Sequence, residues 1–516
     1  MMKSISWFFL IVFLIVFLKC NNTSEDHLQK QILRVPLIDN PTNLDPRTHS
    51  DVSSFRVIEQ VYDFLVRWDS TGIVRPELAE SWTMPSDTIY IFNIRKGIRF
   101  HDGMPLTAYD VAYTYESILD PALNAPVRST LEVIDKITVL DSFHVKFKLK
   151  QIHAPFLSDI QLGIVPAHIA KNNQIDLKKH PFGSGPFKFV RWKADAFIEL
   201  EKNEDYWKQT PRINKIVMKI LPESNTRVLA LENSEIDFLM NDFPQDYLSR
   251  LRENPRLKAN MKTGSNYTYL ALNLRNEYLK HQKVRLAIAH AINVKEMIND
   301  LMGGIPSPAK SLLNPDHWAY DPKLESHPFN PELANWLLDL AGFPDPDRDG
   351  PRFRFTLIYK CTDKLQSRQK AQVIQQYLRK VGINVNIQSY EWGTFFDDVR
   401  NGRFDLYSLS YVGIYEPDFY FRLFHSESIE AGTNRVAYQN SKIDKLINAS
   451  RRITDFAKRK ELYYQIQQIL NEDLPFISLW YEKNIAIMDK HLYGFRIYPA
   501  GEWKSFYQLY FSLDPI

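Results

Sequence analysis

The class of this fold is decided by residues 353–387, which read FRFTLIYKCTDKLQSRQKAQVIQQYLRKVGINVNI. Apolar residues alternate at the start of this stretch, a helical pattern runs from about Ser367 to Lys380, and alternation returns from Ile383 to Ile387. Gly382 suits the left-handed position just past a helix. Strand, helix and strand in so short a stretch form a βαβ unit, which predicts a partly parallel sheet and an α/β fold.

The residues that follow Ile387 are of interest because ligands of open α/β folds bind at the carboxyl ends of strands or between domains. Tyr390-Glu391-Trp392 comes directly after the second strand, and residues 404–413, FDLYSLSYVG, read as a third. Aromatic side chains suit a ligand with both apolar and polar parts. Core packing better explains any single aromatic residue, whereas the group as a whole favours a ligand cleft.

A second local pattern lies in the first quarter of the chain. Residues 88–95 alternate like a half-buried strand, and residues 100–103, FHDG, supply turn chemistry soon afterwards. Thr107 stands three residues before Asp110, a spacing typical of a capping box at the start of a helix. A strand, a turn and a helix are therefore predicted in close order.

The amino terminus has the pattern of an export signal. Twelve apolar residues from Trp7 to Leu18 follow a basic start, whereas a membrane-spanning helix needs about 20. We therefore interpret residues 1–19 as a signal peptide and residues 20–31 as a polar tether. The sequence that ends at Cys20 resembles a bacterial lipobox, which predicts that Cys20 is lipidated and anchors an exported protein to a membrane in the periplasm or at the cell surface.

Lys19 departs from the lipobox pattern, because the residue before the cysteine is normally small. An ordinary cleaved signal followed by an incidental cysteine is the alternative. In either case, cleavage removes 19 of 516 residues and lowers the formal net charge from +3 to +1. The remaining chain is too long for one core, which predicts two or three domains. A nearly neutral chain without a basic run gives no reason to expect nucleic acid as a partner.

Catalytic and metal-binding motifs are nearly absent from the sequence. We find no P-loop, no nucleophile elbow, no HExxH and no CxxC pair. Residues 183–187, GSGPF, favour a turn or a connection between domains over a phosphate site. Residues 345–350, DPDRDG, resemble the start of a calcium loop, but Thr356 stands where the bidentate acid is required, which favours a solvated turn. We therefore expect neither an enzyme nor a cofactor or metal.

Two long blocks of sequence carry a resemblance to a known family. The first is PELAESW, residues 76–82, and the second is FNIRKGIRFHDGMPLTAYDV, residues 92–111. Shorter matches lie at Leu44-Asp45-Pro46, residues 183–187, residues 284–292, Gly382-Ile383, Glu391-Trp392 and Glu416-Pro417. With these residues the chain resembles the family 5 extracellular solute-binding proteins, the oligopeptide- and dipeptide-binding lipoproteins of ABC importers.

The resemblance implies a type II-like periplasmic-binding-protein fold, a three-domain Venus-flytrap with a ligand cleft between domains. Domain I would comprise residues 32–67, 186–278 and 489–516. Domain II would comprise residues 68–185, and domain III residues 279–488. Closure of the lobes would bury a peptide whose backbone pairs with an exposed strand edge.

By position, the same resemblance assigns the ligand-binding residues. Ser410, Tyr411, Val412 and Gly413 would form the strand edge, and Trp392 would lie in the side-chain pockets. Peptide-binding members carry an aspartate shortly after this edge that neutralises the ligand's α-ammonium.

Ile414 stands at the position of that aspartate in this chain. Because an unpaired buried ammonium is costly, the amino end of the ligand needs another acid or must be blocked or located elsewhere. Glu416, Asp418 and Asp51 are the candidates that the sequence offers.

The resemblance implies a monomeric receptor that captures peptides and delivers them to the permease subunits of an ABC transporter. A non-peptide solute, such as an oligosaccharide or a metal chelate, is an alternative ligand because one fold hosts many functions. A surface sensor that passes its ligand-bound shape to a signalling protein is a further alternative, because it would need the same closure of the lobes. An exported hydrolase with paired carboxylates lacks a motif to support it.

Overall fold

The computed structural model describes residues 31–172, 175–347 and 351–512. The predicted signal peptide, Cys20 and almost all of the predicted tether lie outside these ranges, as does the end of the predicted turn at 345–350. No helix within the ranges combines the length and the apolar character that crossing a bilayer requires.

Nineteen strands are present in the described ranges: β1 Ile32–Leu37, β2 Val66–Trp68, β3 Val74–Pro76, β4 Ala79–Ser86, β5 Ile89–Ile94, β6 Ile134–Asp141, β7 His144–Leu149, β8 Phe187–Lys193, β9 Phe197–Lys202, β10 Lys215–Ile220, β11 Phe238–Met240, β12 Leu257–Leu272, β13 Ser307–Pro308, β14 Phe355–Thr362, β15 Ile383–Tyr390, β16 Leu406–Tyr411, β17 Phe476–Asp489, β18 Leu492–Tyr493 and β19 Tyr510–Phe511.

The α-helices of the same ranges are α1 Val52–Val61, α2 Ala108–Leu119, α3 Arg128–Leu131, α4 Phe156–Asp159, α5 Ala167–Ala170, α6 Ser224–Glu232, α7 Leu248–Glu253, α8 Gln282–Ala291, α9 Val294–Met302, α10 Pro331–Leu340, α11 Leu365–Arg379, α12 Trp392–Arg400, α13 Phe419–Phe424, α14 Ser441–Arg452 and α15 Phe456–Asp473.

The predicted βαβ unit is confirmed. Strand β14, helix α11 and strand β15 follow one another, and β14 pairs with β15 in parallel from Phe355 to Thr362. Gly382 adopts φ +76°, the left-handed conformation expected after a helix. These strands belong to a mixed sheet in the order β11-β17-β12-β16-β14-β15, with β13 beside β17. The predicted α/β class is correct because this sheet is partly parallel and covered by helices.

The strand, turn and helix predicted in the first quarter of the chain are also present. Strand β5 lies in an antiparallel sheet in the order β4-β5-β7-β6, and α2 begins directly after Thr107. Asp110 accepts hydrogen bonds from the backbone nitrogen and the hydroxyl of Thr107, at 2.9 Å each. One face of α2, with Val111, Tyr115 and Ile118, packs into the core beneath this sheet.

A third sheet, in the order β1-β10-β9-β8, includes the first described strand of the chain. Its core contains residues distant in sequence, from Leu33 of β1 to Leu509 near the carboxyl terminus. The GSGPF motif closes this core against α1. A side chain on Gly183 would lie 2.2 Å from the carbonyl oxygen of Val61, so the motif's glycine permits a close backbone approach.

Two long strands, β12 and β17, run side by side from one core to another. Residues 257–263 of β12 pair with residues 483–489, and residues 267–271 pair with residues 476–481. The register shifts between these two portions, at Gly264, Ser265 and Asn266. An irregularity of this kind bends a ladder locally. The bend lies where the chain passes between the two groups of core residues.

Candidate functional site

Strand β16 has an open edge over its second half. It pairs with β12 along its whole length, from Leu406 to Tyr411, but β14 pairs with only Leu406 and Tyr407. The other side of residues 408–411 therefore carries no strand in the part of the chain that the structure describes. An exposed edge offers backbone groups to a further strand. This open edge leads directly into Val412 and Gly413, the segment predicted to bind a ligand backbone.

The residues that follow the open edge turn away from the sheet. Val412 is 72% exposed, and Gly413 adopts φ +69°, which favours glycine. The backbone nitrogen of Gly413 donates to Oδ1 of Asn266 on β12, at 3.1 Å. This bond fixes the turn against the irregular portion of β12.

The two faces of β16 differ in chemistry. On one face, Tyr411 stacks on Tyr269 with ring centroids 4.9 Å apart and meets Phe419 edge-on at 5.3 Å. Most of the aromatic residues on this side, Tyr407 among them, are fully buried and form core. Ser408 and Ser410 alternate with these residues and face the opposite side of the sheet. The open edge thus separates an aromatic face from a hydroxyl-bearing face.

Trp392 lies at the start of α12 and is 53% exposed. The Glu391 carboxylate begins this helix by accepting from the backbone nitrogens of Gly393, at 2.7 Å, and Thr394. The Trp392 ring stacks on Phe396 at 5.2 Å, and the guanidinium of Arg435 lies over the same Phe396 ring at 4.8 Å. Trp392 therefore presents an apolar face to solvent, as a residue that contacts a ligand would.

Ile414 is 3% exposed and packs within the aromatic core beside β16. The next residue, Tyr415, stacks on Trp68 with ring centroids 4.7 Å apart and donates its hydroxyl to Glu502 at 2.7 Å. A cavity of about 150 Å³ lies here, with Phe55, Gly413, Tyr415 and Ala500 among its walls. The position that would carry an anchoring acid is thus part of the core.

Glu416 connects two distant parts of the chain. Its Oε2 accepts from the hydroxyl of Ser158 at 2.6 Å, and its Oε1 lies 2.5 Å from the guanidinium of Arg459. Ser158 belongs to α4, whereas Arg459 belongs to α15. The Glu416 carboxylate is therefore fully engaged by protein groups.

Asp418 is held by Arg451, whose Nε lies 3.0 Å from Oδ1. Burial raises the pKa of Asp418 to about 6, although the charge of Arg451 opposes this shift. Asp418 and Glu416 line a cavity of about 1060 Å³, whose opposite wall is formed by residues between 129 and 159, including His153.

Asp51 caps α1. Its carboxylate accepts from the backbone nitrogen and hydroxyl of Ser54, at 2.7 and 2.6 Å, and from the hydroxyl of Thr42 at 2.6 Å. Burial opposes ionisation, but these hydrogen bonds lower the pKa of Asp51 below its ordinary value. The structure therefore gives Asp51 the role of a helix cap.

A polar cluster on the hydroxyl-bearing face of β16 was not predicted from the sequence. It contains Glu482 of β17, whose Oε1 accepts from the hydroxyls of Ser410 at 3.2 Å and Thr268 at 3.5 Å. Nδ2 of Asn266 donates to the other oxygen, at 3.2 Å. The one available sign was an acidic residue inside the apolar stretch 476–488.

Lys370 of α11 completes this cluster. Its Nζ donates to the hydroxyl of Ser408 at 3.1 Å and lies 5.4 Å from the centre of the Trp480 ring. Burial lowers the pKa of Lys370 to about 8, an effect that the negative charge of Glu482 partly offsets. The positive charge of Lys370 thus lies next to Ser408, and the negative charge of Glu482 lies next to Ser410, on the same face of β16.

Metal-binding chemistry is not evident in the described ranges. No three histidine, cysteine, aspartate or glutamate side chains there are grouped so that they could hold a metal ion. Cys361 is a buried, free thiol within β14.

Comparison with known proteins identifies relatives that are similar to this chain over most of its length. Residues 74–431 match the family of bacterial extracellular solute-binding proteins, family 5 Middle. Oligopeptide-binding protein AppA of Bacillus subtilis is 32% identical over 91% of this chain and 90% of its own length. Di/tripeptide-binding protein 2 of Pseudomonas aeruginosa is 29% identical over 89% of this chain and 91% of its own length.

Solved structures are similar over 93% of this chain. AppA of Bacillus subtilis in complex with a nonapeptide has a TM-score of 0.72 at 28% identity and 99% coverage of its own chain. DppA of Helicobacter pylori in complex with the peptide STSA has the same TM-score and identity, with 98% coverage. HbpA2 of Haemophilus parasuis reaches a TM-score of 0.85 at 25% identity and 100% coverage. The chain is a member of family 5 of the bacterial extracellular solute-binding proteins, with the type II-like fold of that family.

Proposed function

We propose that this protein is the extracytoplasmic receptor of an ABC importer and that it captures peptides in a cleft between its lobes. The observation that carries the proposal is the open edge of β16 at residues 408–411, which continues into the exposed Val412. A peptide in extended conformation would add a strand there and pair through its backbone. Trp392 would contact ligand side chains from the start of α12.

The relatives support this ligand class. The names of oligopeptide-binding protein AppA and di/tripeptide-binding protein 2 state that these relatives bind peptides. The structures of AppA and DppA have been solved with peptides bound. Each is similar to this chain over most of its length. Capture of peptides needs no chemistry by the protein, so the receptor is proposed to act without catalysis.

The lobes of this structure are proposed to stand open. The peptide-bound AppA and DppA structures superpose on this chain with a lower TM-score than HbpA2 does, although they are closer in sequence. A different relative placement of lobes lowers such a score without any change of fold. Closure of the lobes around a ligand is expected to raise the TM-score with the peptide-bound structures.

The division into domains remains as proposed from the sequence: residues 32–67, 186–278 and 489–516 in domain I, residues 68–185 in domain II, and residues 279–488 in domain III. Separate cores support a division into several units but do not follow these bounds throughout, because the core around Leu33 also contains Val165 and Leu177, and the cores within residues 267–481 contain Tyr267 and Leu272. One core joins Leu33 to residues near the carboxyl terminus, another lies within residues 65–164, and two more lie within residues 267–481.

The remaining parts of the proposal concern the cell. The receptor is proposed to act as a monomer, to be held at the membrane through lipidated Cys20, and to deliver its ligand to the permease subunits. Labelled palmitate incorporated into the wild type, but not into a Cys20→Ala variant, would support the anchor. An unlabelled wild type would favour an ordinary cleaved signal.

Mass spectrometry of co-purified ligands tests the ligand class. The protein is produced as residues 21–516, purified, denatured, and its released small molecules are identified. Peptides are the expected result, and their amino ends would show whether free amines are accepted. An oligosaccharide or a metal chelate in their place would contradict the proposal. If nothing is released, calorimetry with peptides of two to nine residues decides, and binding of none would overturn it.

A further inference from the structure

The acids that could receive a ligand ammonium near the open edge are nearly all engaged. Asp51 caps a helix, Glu416 pairs with Arg459, and Asp418 pairs with Arg451. Asp51 and Glu416 accept several hydrogen bonds, whereas Oδ1 of Asp418 is buried and has only the nearby charge of Arg451 as a partner in the described ranges. A ligand ammonium would have to displace these partners at a cost.

Two further carboxylates line the small cavity beside Gly413, and they too have cationic partners. Glu59 lies 3.7 Å from the guanidinium of Arg67 and accepts from the backbone of Trp503 at 2.9 Å. Glu502 lies 3.5 Å from Nζ of Lys504. Neither is available to a ligand without loss of an existing ion pair.

Glu482 differs from the four carboxylates that face a cation, and unlike Asp51 it does not cap a helix. Its hydrogen-bond donors are the neutral groups of Ser410, Thr268 and Asn266, and it forms no ion pair with any residue in the described ranges. Its carboxylate lies on the hydroxyl-bearing face, 3.2 Å from the hydroxyl of Ser410 at the open edge. The carboxylate reaches Ser410 from the side of β12, whereas a strand added at the open edge would lie about 4.8 Å from β16 on its other side. A ligand end group that crosses over Ser410 would meet this carboxylate.

Lys370 supplies the opposite charge at a second point along the same strand. Lys370 donates a hydrogen bond to the hydroxyl of Ser408, whereas Glu482 accepts one from the hydroxyl of Ser410. Two residues along a strand span about 7 Å. An extended dipeptide has nearly the same length, about 7 Å from end to end. The two charges therefore match the ammonium and the carboxylate of a peptide about two residues long.

We propose that Glu482 binds the α-ammonium and Lys370 the α-carboxylate of a short zwitterionic peptide paired with the open edge of β16. The proposal rests on the proposed peptide-binding function and specifies its ligand class. Under this proposal a free amine would be accepted although Ile414 lies in the core. Trp480, beneath Lys370, would shield that end of the ligand from water.

Calorimetry with the dipeptide Ala-Phe, its N-acetyl form and its C-terminal amide tests the proposal on residues 21–516. The wild type is expected to prefer the free dipeptide over both capped forms. Glu482→Gln should weaken binding of the free dipeptide by at least about tenfold and leave the N-acetyl form unaffected. Lys370→Met should weaken the free dipeptide similarly and leave the amide unaffected.

Control variants separate this assignment from general damage to the protein. Glu427→Gln removes a carboxylate that is 78% exposed and should change neither affinity nor melting temperature. Glu416→Gln and Asp418→Asn should show no selectivity for the free amine. A selective loss in either of these variants, with none in Glu482→Gln, would overturn the assignment of the ammonium site.

Longer peptides distinguish failure of this inference from failure of the proposed function. If tetrapeptides and nonapeptides bind but dipeptides do not, or if Glu482→Gln leaves all affinities unchanged, the inference is wrong and the receptor function stands. If no peptide of two to nine residues binds, the proposed function falls and the inference with it.

Discussion

The open edge at residues 408–411 and the segment 416–418 are close in sequence but opposite in chemistry. Beside the open edge, the Glu482 carboxylate meets only neutral donors. In the following segment, Glu416 and Asp418 are each held by an arginine. A carboxylate near a binding motif is therefore informative only when its existing partners are known. Position along the chain points to Glu416, whereas available charge points to Glu482.

Removal of Arg459, the partner of Glu416, should produce the largest of the predicted effects, a loss of folding stability. In Arg459→Met, a mostly buried carboxylate loses its cation, and stability should fall by about 3 kcal/mol. Urea unfolding measures the change. Arg422→Met is the matched control, because Arg422 is exposed and should change stability by less than about 0.5 kcal/mol.

A double variant sharpens the same test. Glu416→Gln combined with Arg459→Met leaves no unpaired charge, so most of the lost stability should return. If Arg459→Met unfolds at the same urea concentration as the wild type, the ion pair between Glu416 and Arg459 contributes little to stability. Glu416 could then bind a ligand ammonium without a large loss of stability.

Trp392→Ala should have an intermediate effect, confined to binding. Loss of its exposed apolar face should weaken peptide affinity by about 1 to 2 kcal/mol, or about tenfold, with little change in unfolding. Calorimetry and thermal unfolding measure the two quantities. Trp336→Ala removes a tryptophan of similar exposure, 57%, from α10 and should change neither. Equal losses of affinity and stability in Trp392→Ala would make Trp392 a core residue.

The pH dependence of binding should show the smallest effect. Lys370 has a pKa near 8 and is charged below that pH, so its attraction for a ligand carboxylate falls as the pH rises through 8. Glu482 is the charged group that faces it. Between pH 7 and pH 9, affinity for free Ala-Phe should fall severalfold relative to its C-terminal amide. The amide is the reference because its amine also titrates in this range, and the amine pKa of each peptide is measured separately to correct the ratio.

Lys370→Arg is the control for this measurement. Arginine keeps its charge to above pH 12, so the ratio between the free dipeptide and the amide should no longer change with pH. A wild-type ratio that stays constant from pH 7 to pH 9 would show that Lys370 does not bind the carboxylate.

Local patterns in the sequence predicted local structure correctly. The βαβ unit depends on alternation, helical period and Gly382, all within one short stretch, and the Thr107 and Asp110 capping box depends on three-residue spacing. The family was also recognisable, because its motifs are continuous blocks. The ligand-binding segment Ser410 to Gly413 stays a prediction made by position within that family, and the open edge at residues 408–411 overlaps its first half.

The partners of the acidic residues could not be predicted in this way. Glu416 meets Arg459 from 43 residues away and Ser158 from 258 residues away. Glu482 meets Thr268 across 214 residues. Such pairs exist only once β12, β16 and β17 have assembled, and no period or spacing in one sequence encodes them. The charge partners of the acidic residues near the open edge could therefore be identified only from the folded structure.

If Glu482 anchors the ligand as we propose, the bend in β12 has a mechanical consequence. A side chain on Gly264 would lie 2.9 Å from the backbone oxygen of Glu482, so the backbone of Glu482 lies against the bend. A ligand held by the side chain of Glu482 would then be attached next to the place where β12 and β17 pass from one core to another. Movement of one core relative to the other would act on the bound ligand with no relay through intervening residues.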